Sequence, residues 1–164
     1  MKKQLSTNIA SAILLGLMSF TFIHAQTTPE TLVANLYTAW DGNTTHSVSN
    51  NCCKMLKSLT QLQKYFSPTI AKKIFKADNS EENGLDADIL YDTQDIGIIK
   101  NFRVGKFQAK DTKTGFLNVS FTNFKQKQTI KFLLEKLANG WRVYDLEYEH
   151  GKETFTLKSI LDAP

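Results

Sequence analysis

Acidic side chains supply the first chemistry to weigh in this chain. Seven fall within 78–95 (DNSEENGLDADILYDTQD): Asp78, Glu81, Glu82, Asp86, Asp88, Asp92 and Asp95. Carboxylates this close together can gather oxygen ligands for calcium. The EF-hand loop, however, needs Asp or Asn at alternate positions, then Gly, then a distal Glu. Read from Asp86, Leu90 and Tyr91 fall where the third ligand and the Gly belong. The stretch therefore reads as a solvated acidic connector with one or two carboxylates capping turns, and no metal is expected. Within it, Asp88, Tyr91, Asp92, Gln94 and Asp95 are the candidate ligand- or partner-binding residues. The pair Gln94-Asp95 leads this set, because it sits where a helical half of the chain hands over to an alternating half. A partner with a basic surface would suit such a loop.

Two further groups carry chemistry. Cys52 and Cys53 are the only cysteines and they are adjacent. Neighbouring Cα atoms lie about 3.8 Å apart across a trans peptide, whereas a disulfide wants roughly 4.4–6.8 Å. A bridge between them would be strained and easily reduced, so Cys52 and Cys53 are a redox candidate, set against two plain thiols beside a helix start. His46 lies in a polar stretch and His150 beside Gly151; both are expected to be exposed, and neither has a nearby nucleophile that the sequence pairs with it. No zinc spacing, phosphate loop or serine elbow occurs, and no catalytic residue is assigned. Tyr37, Tyr144 and Asp145 are conceivable parts of a small buried site, but Tyr37 and Tyr144 read more simply as core-rim residues with a polar tip.

The first 25 residues set the compartment. Lys2 and Lys3 precede an apolar run over 9–23, and His24-Ala25 places a small residue before Gln26. That layout predicts a signal peptide over residues 1–25, cleaved near Ala25/Gln26. A single domain over 26–164 follows, working in the periplasm. The first cysteine is residue 52, so no lipid attachment at the cut is expected, and no membrane anchor remains after cleavage. The full chain carries a net charge of +4; without Lys2 and Lys3, eighteen basic residues face sixteen acidic ones. So small an excess predicts no nucleic-acid binding.

The elements that must position these groups divide into two halves. Thr28-Pro29-Glu30 opens a helix whose apolar stripe is Leu32, Val33, Leu36, Tyr37 and Trp40, and Asp41-Gly42-Asn43 closes it. A second helix is expected over 53–66. Ser67-Pro68 breaks it and caps a third, with Ile70, Ile74 and Phe75 inward. After the connector the period becomes two. Strands are expected over 101–110, 116–124, 128–137 and 141–149, with Ala138-Asn139-Gly140 as a tight hairpin connection. The first and last change parity, at Gly105 and between Val143 and Leu146, which predicts β-bulges and a curved sheet. Leu157, Ile160 and Leu161 suggest a short closing helix. Helices first and an antiparallel meander afterwards make an α+β fold: N-terminal helices on a curved four-stranded sheet, a cone with a cavity between the layers.

This order of elements resembles the NTF2-like (cystatin-like) cone. More closely, the chain resembles the exported bacterial DUF3828 family. The resemblance rests on Thr28-Pro29-Glu30 leading to Leu36-Tyr37-Thr38-Ala39-Trp40, on Lys64-Tyr65-Phe66-Ser67-Pro68, on Asp88-Ile89-Leu90-Tyr91-Asp92-Thr93-Gln94-Asp95, and on Gly140-Trp141-Arg142-Val143-Tyr144-Asp145-Leu146-Glu147-Tyr148. It implies a fold and an exported location, and no catalytic residues or cofactor. The expected function is an exported binding or interaction protein for a protein or small-molecule ligand, an immunity-type protein that blocks a toxin being one version. The alternative is a small cavity enzyme acting on a hydrophobic ligand.

Overall fold

The computed structural model describes residues 27–42, 58–80, 85 and 87–163. The expected signal segment 1–25, His46, Cys52, Cys53, Glu81, Glu82 and Asp86 lie outside the described residues.

Helix α1 (Pro29–Asp41) follows its sequence signals closely. The Thr28 side chain accepts from the Thr31 N–H, Pro29 takes the first helical position, and Gly42 ends the helix at φ 70°. Its inward stripe is Leu32, Val33, Leu36, Tyr37 and Trp40. Helix α2 (Leu59–Leu62) is a single turn; of the helix expected over 53–66, residues 53–57 lie outside the described residues, and over 58–66 only this turn is helical. Ser58 is extended, and its hydroxyl accepts from the Gln61 N–H while the Gln61 side chain accepts from the Ser58 N–H. This reciprocal cap starts the helix at Leu59 and excludes a helix running through Ser58. The chain then leaves the helix to meet the sheet: Val143 N–H donates to Tyr65 O, and Ser67 N–H donates to Val143 O, each at 2.8 Å. Helix α3 (Pro68–Asp78) buries Ile70, Ala71 and Ile74, and Phe75 is only partly buried. Ser67, expected to cap this helix, makes no side-chain cap bond; its N–H is the donor to Val143 O.

The described strands are β1 (Lys100–Val104), β2 (Gln108–Ala109), β3 (Thr114–Asn123), β4 (Gln126–Leu137), β5 (Gly140–His150) and β6 (Glu153–Thr156). They form one antiparallel sheet in the order β1-β3-β4-β5-β6, with β2 also on β3. The α+β architecture is therefore as expected, helices on a curved open antiparallel sheet, but with six strands in place of four. The strand expected over 101–110 is split into β1 and β2. Val104 pairs with Val119 and Gln108 with Phe116, so one extra residue sits in the edge strand across Gly105. A Cβ on Gly105 would come within 2.8 Å of Asn118 O, to which the Gly105 N–H donates. Helix α1 also fixes this break, because Glu30 Oε1 accepts from the Phe107 N–H at 2.9 Å. That bond holds the Glu30 carboxyl below its ordinary pKa. A second register slip falls between Lys100 and Arg103, where Asn101 has φ 54°. The parity change in β5 is a bulge at Tyr144: Leu134 pairs with Val143 and Leu133 with Asp145. The added strand β6 follows a turn at Gly151 and pairs with β5 from Glu147 to His150.

Helix α4 (Leu157–Leu161) closes the fold. Asp145 Oδ1 accepts from the Lys158 and Leu146 N–H groups, so the β5 bulge turns a carboxylate toward the start of α4. Lys73 of α3 pairs with Asp162 just past α4. Between the layers, the largest fully buried side chains are Tyr37, Tyr91, Tyr148, Phe66, Phe121 and Phe132. These rings pack into the layer between the helices and the sheet. At ~25 cal/mol per Å² of apolar surface, such aromatic burial dominates the stability of a domain this size.

Candidate functional site

The connector 87–99 crosses one end of the sheet between α1 and β1, and it has two unlike halves. Asp88 opens a tight turn. Its Oδ1 accepts from the N–H groups of Leu90 (2.8 Å) and Tyr91 (3.1 Å), and its Oδ2 accepts from Trp40 Nε1 (2.9 Å). The backbone closes the same turn through Asp92 N–H to Asp88 O (2.7 Å) and Asp88 N–H to Thr93 O (2.9 Å). Three tyrosines then clasp the turn. Tyr37 Oη donates to Leu90 O (2.7 Å), Tyr148 Oη to Ile89 O (3.0 Å), and Tyr91 Oη to Asp41 Oδ2 (2.6 Å). Tyr91 also lies edge-on to Tyr37 and Phe121, with ring centroids 5.5 and 5.3 Å apart.

This polar cluster works as a buried latch. Burial pushes the Tyr37, Tyr91 and Tyr148 hydroxyls well above the ordinary tyrosine value, so they stay protonated and donate. Burial likewise raises Asp88, against the opposing pull of its Trp40, Leu90 and Tyr91 donors. Tyr37 was expected at the core rim; it is fully buried, because its hydroxyl reaches a carbonyl of the connector packed beneath the sheet. Of the five sequence candidates, Asp88 and Tyr91 therefore face inward and hold the connector's shape.

The outer half is different. Asp92 takes φ 50° and its Oδ2 lies 2.6 Å from His150 Nε2 at the end of β5. Gln94 and Asp95 are exposed. Thr93 Oγ1 donates to Asp95 O at 2.9 Å. The buried Asn123, last residue of β3, joins this half to the sheet: its Nδ2 donates to Asp95 O (3.1 Å) and its Oδ1 accepts from the Gly97 N–H (2.9 Å). Asp92, Gln94 and Asp95 thus share an outward edge with the β3–β4 turn and with His150.

Sequence reasoning missed Asn123, Phe124, Ile98 and the role of His150. Ile98 and Phe124 are 70% and 63% exposed, the most exposed large apolar side chains among the described residues. No motif marks them, since a single Ile or Phe outside a periodic run looks like any other. His150 was expected to be exposed, which it is, but its carboxylate partner lies 58 positions away. Tyr144 stands on the outer face of the sheet, partly buried, with its hydroxyl raised by burial and then by Asp145, Glu147 and Glu135.

No group of three or more His, Cys, Asp or Glu side chains placed to hold a metal ion occurs among the described residues. No helix among them is long and apolar enough to cross a membrane.

Comparison with protein-family models and with curated proteins finds no match. Among solved structures, the fold is similar to a chain in the crystal structure of the type VI native effector–immunity complex Tae3–Tai3 from Ralstonia pickettii. The TM-score is 0.58 at 12% identity, over 78% of this chain and 100% of that one. At that identity the likeness establishes a shared fold.

Proposed function

We propose that this protein is an exported, non-catalytic binding protein of the immunity type, which holds a protein partner against the connector end of its sheet. The observation that carries the reading is the division of the connector. Its inner half is engaged inside the molecule, whereas Gln94 and Asp95 are exposed on a supported edge beside Asp92, which is half-buried against His150. Rigid support of polar groups at an edge is what protein recognition requires, since little ordering entropy remains to be lost on binding. The shared fold with a chain of an effector–immunity complex supports a protein partner over a small molecule. The expected leader over 1–25 supports export, and with it a toxin-blocking role in the periplasm. Membership of the DUF3828 family, with one domain over 26–164, belongs to the same proposal.

The alternative, a cavity enzyme, would need a buried acid or tyrosine directed at a substrate. Asp88, Tyr37, Tyr91 and Tyr148 instead bond to Trp40, to the connector backbone and to Asp41. This arrangement favours the binding reading.

The test is retention from periplasmic extract on the tagged, exported protein, beside the Asp92→Ala/Asp95→Ala double variant. A specific protein held by the wild type and held at least tenfold less by the double variant is the expected outcome. Retention of no protein by either form would overturn the proposal.

A further inference from the structure

Side chains alternate between the two faces of a sheet. Leu117, Val119, Ile130, Phe132 and Leu134 point into the core, so Phe116, Lys131, Leu133 and Glu135 stand on the outer face. The strand registers arrange that face in rows. The middle row is apolar: Phe116 opposite Leu133, with Tyr144 beside it at the β5 bulge, each half-buried. The next row toward the connector holds Asn118, Lys131 and Glu147. The next row the other way holds Thr114, Glu135 and Arg142. Lys131 Nζ lies 2.6 Å from Glu147 Oε2 and 4.9 Å from the Phe116 ring centre. Glu135 and Arg142 are cross-strand neighbours, but the guanidinium turns away: its Nε donates to Gln63 O (3.0 Å) and its Nη1 to Trp141 O (2.6 Å). Among the described residues neither makes an ion pair, so this row carries an unmet charge of each sign. Crossing the apolar row thus inverts the charges, from plus to minus on β4 and from minus to plus on β5.

We infer that two copies of this chain pair through their outer sheet faces, about a twofold axis running along the Phe116–Leu133–Tyr144 row. That axis lays each apolar row on its own copy and turns one charged row onto the other. Lys131 meets Glu135 of the second copy, and Glu147 meets Arg142 of the second copy. The Lys131–Glu147 pair becomes the centre of an alternating chain of four charges, formed twice. The other twofold in this plane, along β4, would set Lys131 on Lys131 and Glu135 on Glu135, which like-charge repulsion disfavours. A twofold interface requires a surface complementary to itself, and this inversion of charge supplies one. A partner surface of single sign would attract one charge of each row and repel the other, so the pattern selects a second copy. Charges farther out find no opposing like charge on the sheet: Glu149 falls opposite Gly140, Lys127 opposite the Ala138-Asn139 turn, and Lys110 opposite Gly105. Lys106, at the break between β1 and β2, is left beside Lys110 of the second copy at the solvated rim, where salt screens the two. The pairing also leaves both connector edges free. Lys127 lies about 20 Å along β4 from Leu133, whereas Leu137 lies about 13 Å the other way, so each connector end projects past the other copy.

The test is sedimentation equilibrium of the purified exported protein, which should be a dimer at about 100 μM in low salt and dissociate as salt is added. A monomer at every concentration overturns the inference and leaves the partner-binding reading untouched. Glu135→Lys and Lys131→Glu each set like charges against each other, so each variant alone should dimerise at least tenfold more weakly. Mixed in equal amounts they should recover a dimer, because every altered side chain then faces the opposite sign. Single variants that dimerise as the wild type does, or a mixture that stays monomeric, overturn the inference. Both changes are at the surface, so Tm of the monomer should stay within about 4 °C of wild type. A contact arm does not depend on either variant folding: benzoylphenylalanine replaces Leu133 in the exported protein within its own cells. An adduct of two copies of this chain supports the inference; an adduct with a different protein alone, or no adduct, overturns it.

Discussion

The two halves of the connector are eight residues of one loop put to opposite uses. From Asp88 to Tyr91, polar groups point inward and each meets a partner distant in sequence: Trp40, Tyr37, Tyr148 and Asp41. From Asp92 to Asp95, similar residue types point outward, and the support comes from beneath, through His150 and Asn123. Carboxylates therefore divide by surroundings. Asp88, partly buried and bound by three N–H donors, organises a turn, whereas exposed Asp95 is left for solvent or a partner. The acidity of a loop does not reveal which of its acids are available.

The sharpest way to break this contrast is Tyr91→Ala. It removes a fully buried ring and the donor to Asp41, and should cost about 3–5 kcal/mol in urea unfolding. A loss under 1 kcal/mol, of the order of ordinary surface changes, would mean that the inner half is not part of the core. Next in size is Asn123→Ala. It leaves Asp95 O and the Gly97 N–H without their partner, at about 2–3 kcal/mol, and should speed proteolytic cutting within 94–98. Unchanged cutting would mean that the outer half is held by something other than this side chain.

Asp88→Asn sharpens the comparison through pH. Burial raises the folded Asp88 above its ordinary value of 3.8, so folding takes up a proton between the unfolded and folded pKa values. Its contribution to stability is therefore greatest below that interval, falls as pH rises through it, and is level above. The variant should lose this slope and about 1–2 kcal/mol at neutral pH; identical pH profiles would remove Asp88 from the latch. The smallest effect is expected from Asp92→Ala with Asp95→Ala. Asp92 loses a surface pair with His150 and Asp95 loses only hydration, so stability should change by less than about 1 kcal/mol. A larger loss would make the outer edge structural after all.

Much of the fold was legible because its signals are local. Thr28, Pro29 and Gly42 bracket α1, and the parity changes at Gly105 and around Tyr144 located two bulges. The helix expected over 53–66 was misread, because the apolar spacing of Leu59, Leu62 and Phe66 fits a longer helix. The capping box at Ser58 and the crossing to Val143 confine it to one turn. Strand β6 was passed over although Gly151 precedes the alternating Glu153-Thr154-Phe155-Thr156.

The sequence by itself determined the order of helices and strands, the inward faces, and the connector 88–95 as the place where unusual polar residues gather. Periodicity and capping act within a few residues, so they can be read from one chain. Only the tertiary structure decided which of those polar residues are available. Tyr37, Trp40, Asn123 and His150 reach the connector from 28 to 58 positions away, and such pairings depend on how the layers close. It also decided that the connector's outward edge lies beside a strained turn bearing Phe124. Sequence alone cannot foresee that, because the side chain's exposure depends on where a hairpin ends and on what lies beneath it.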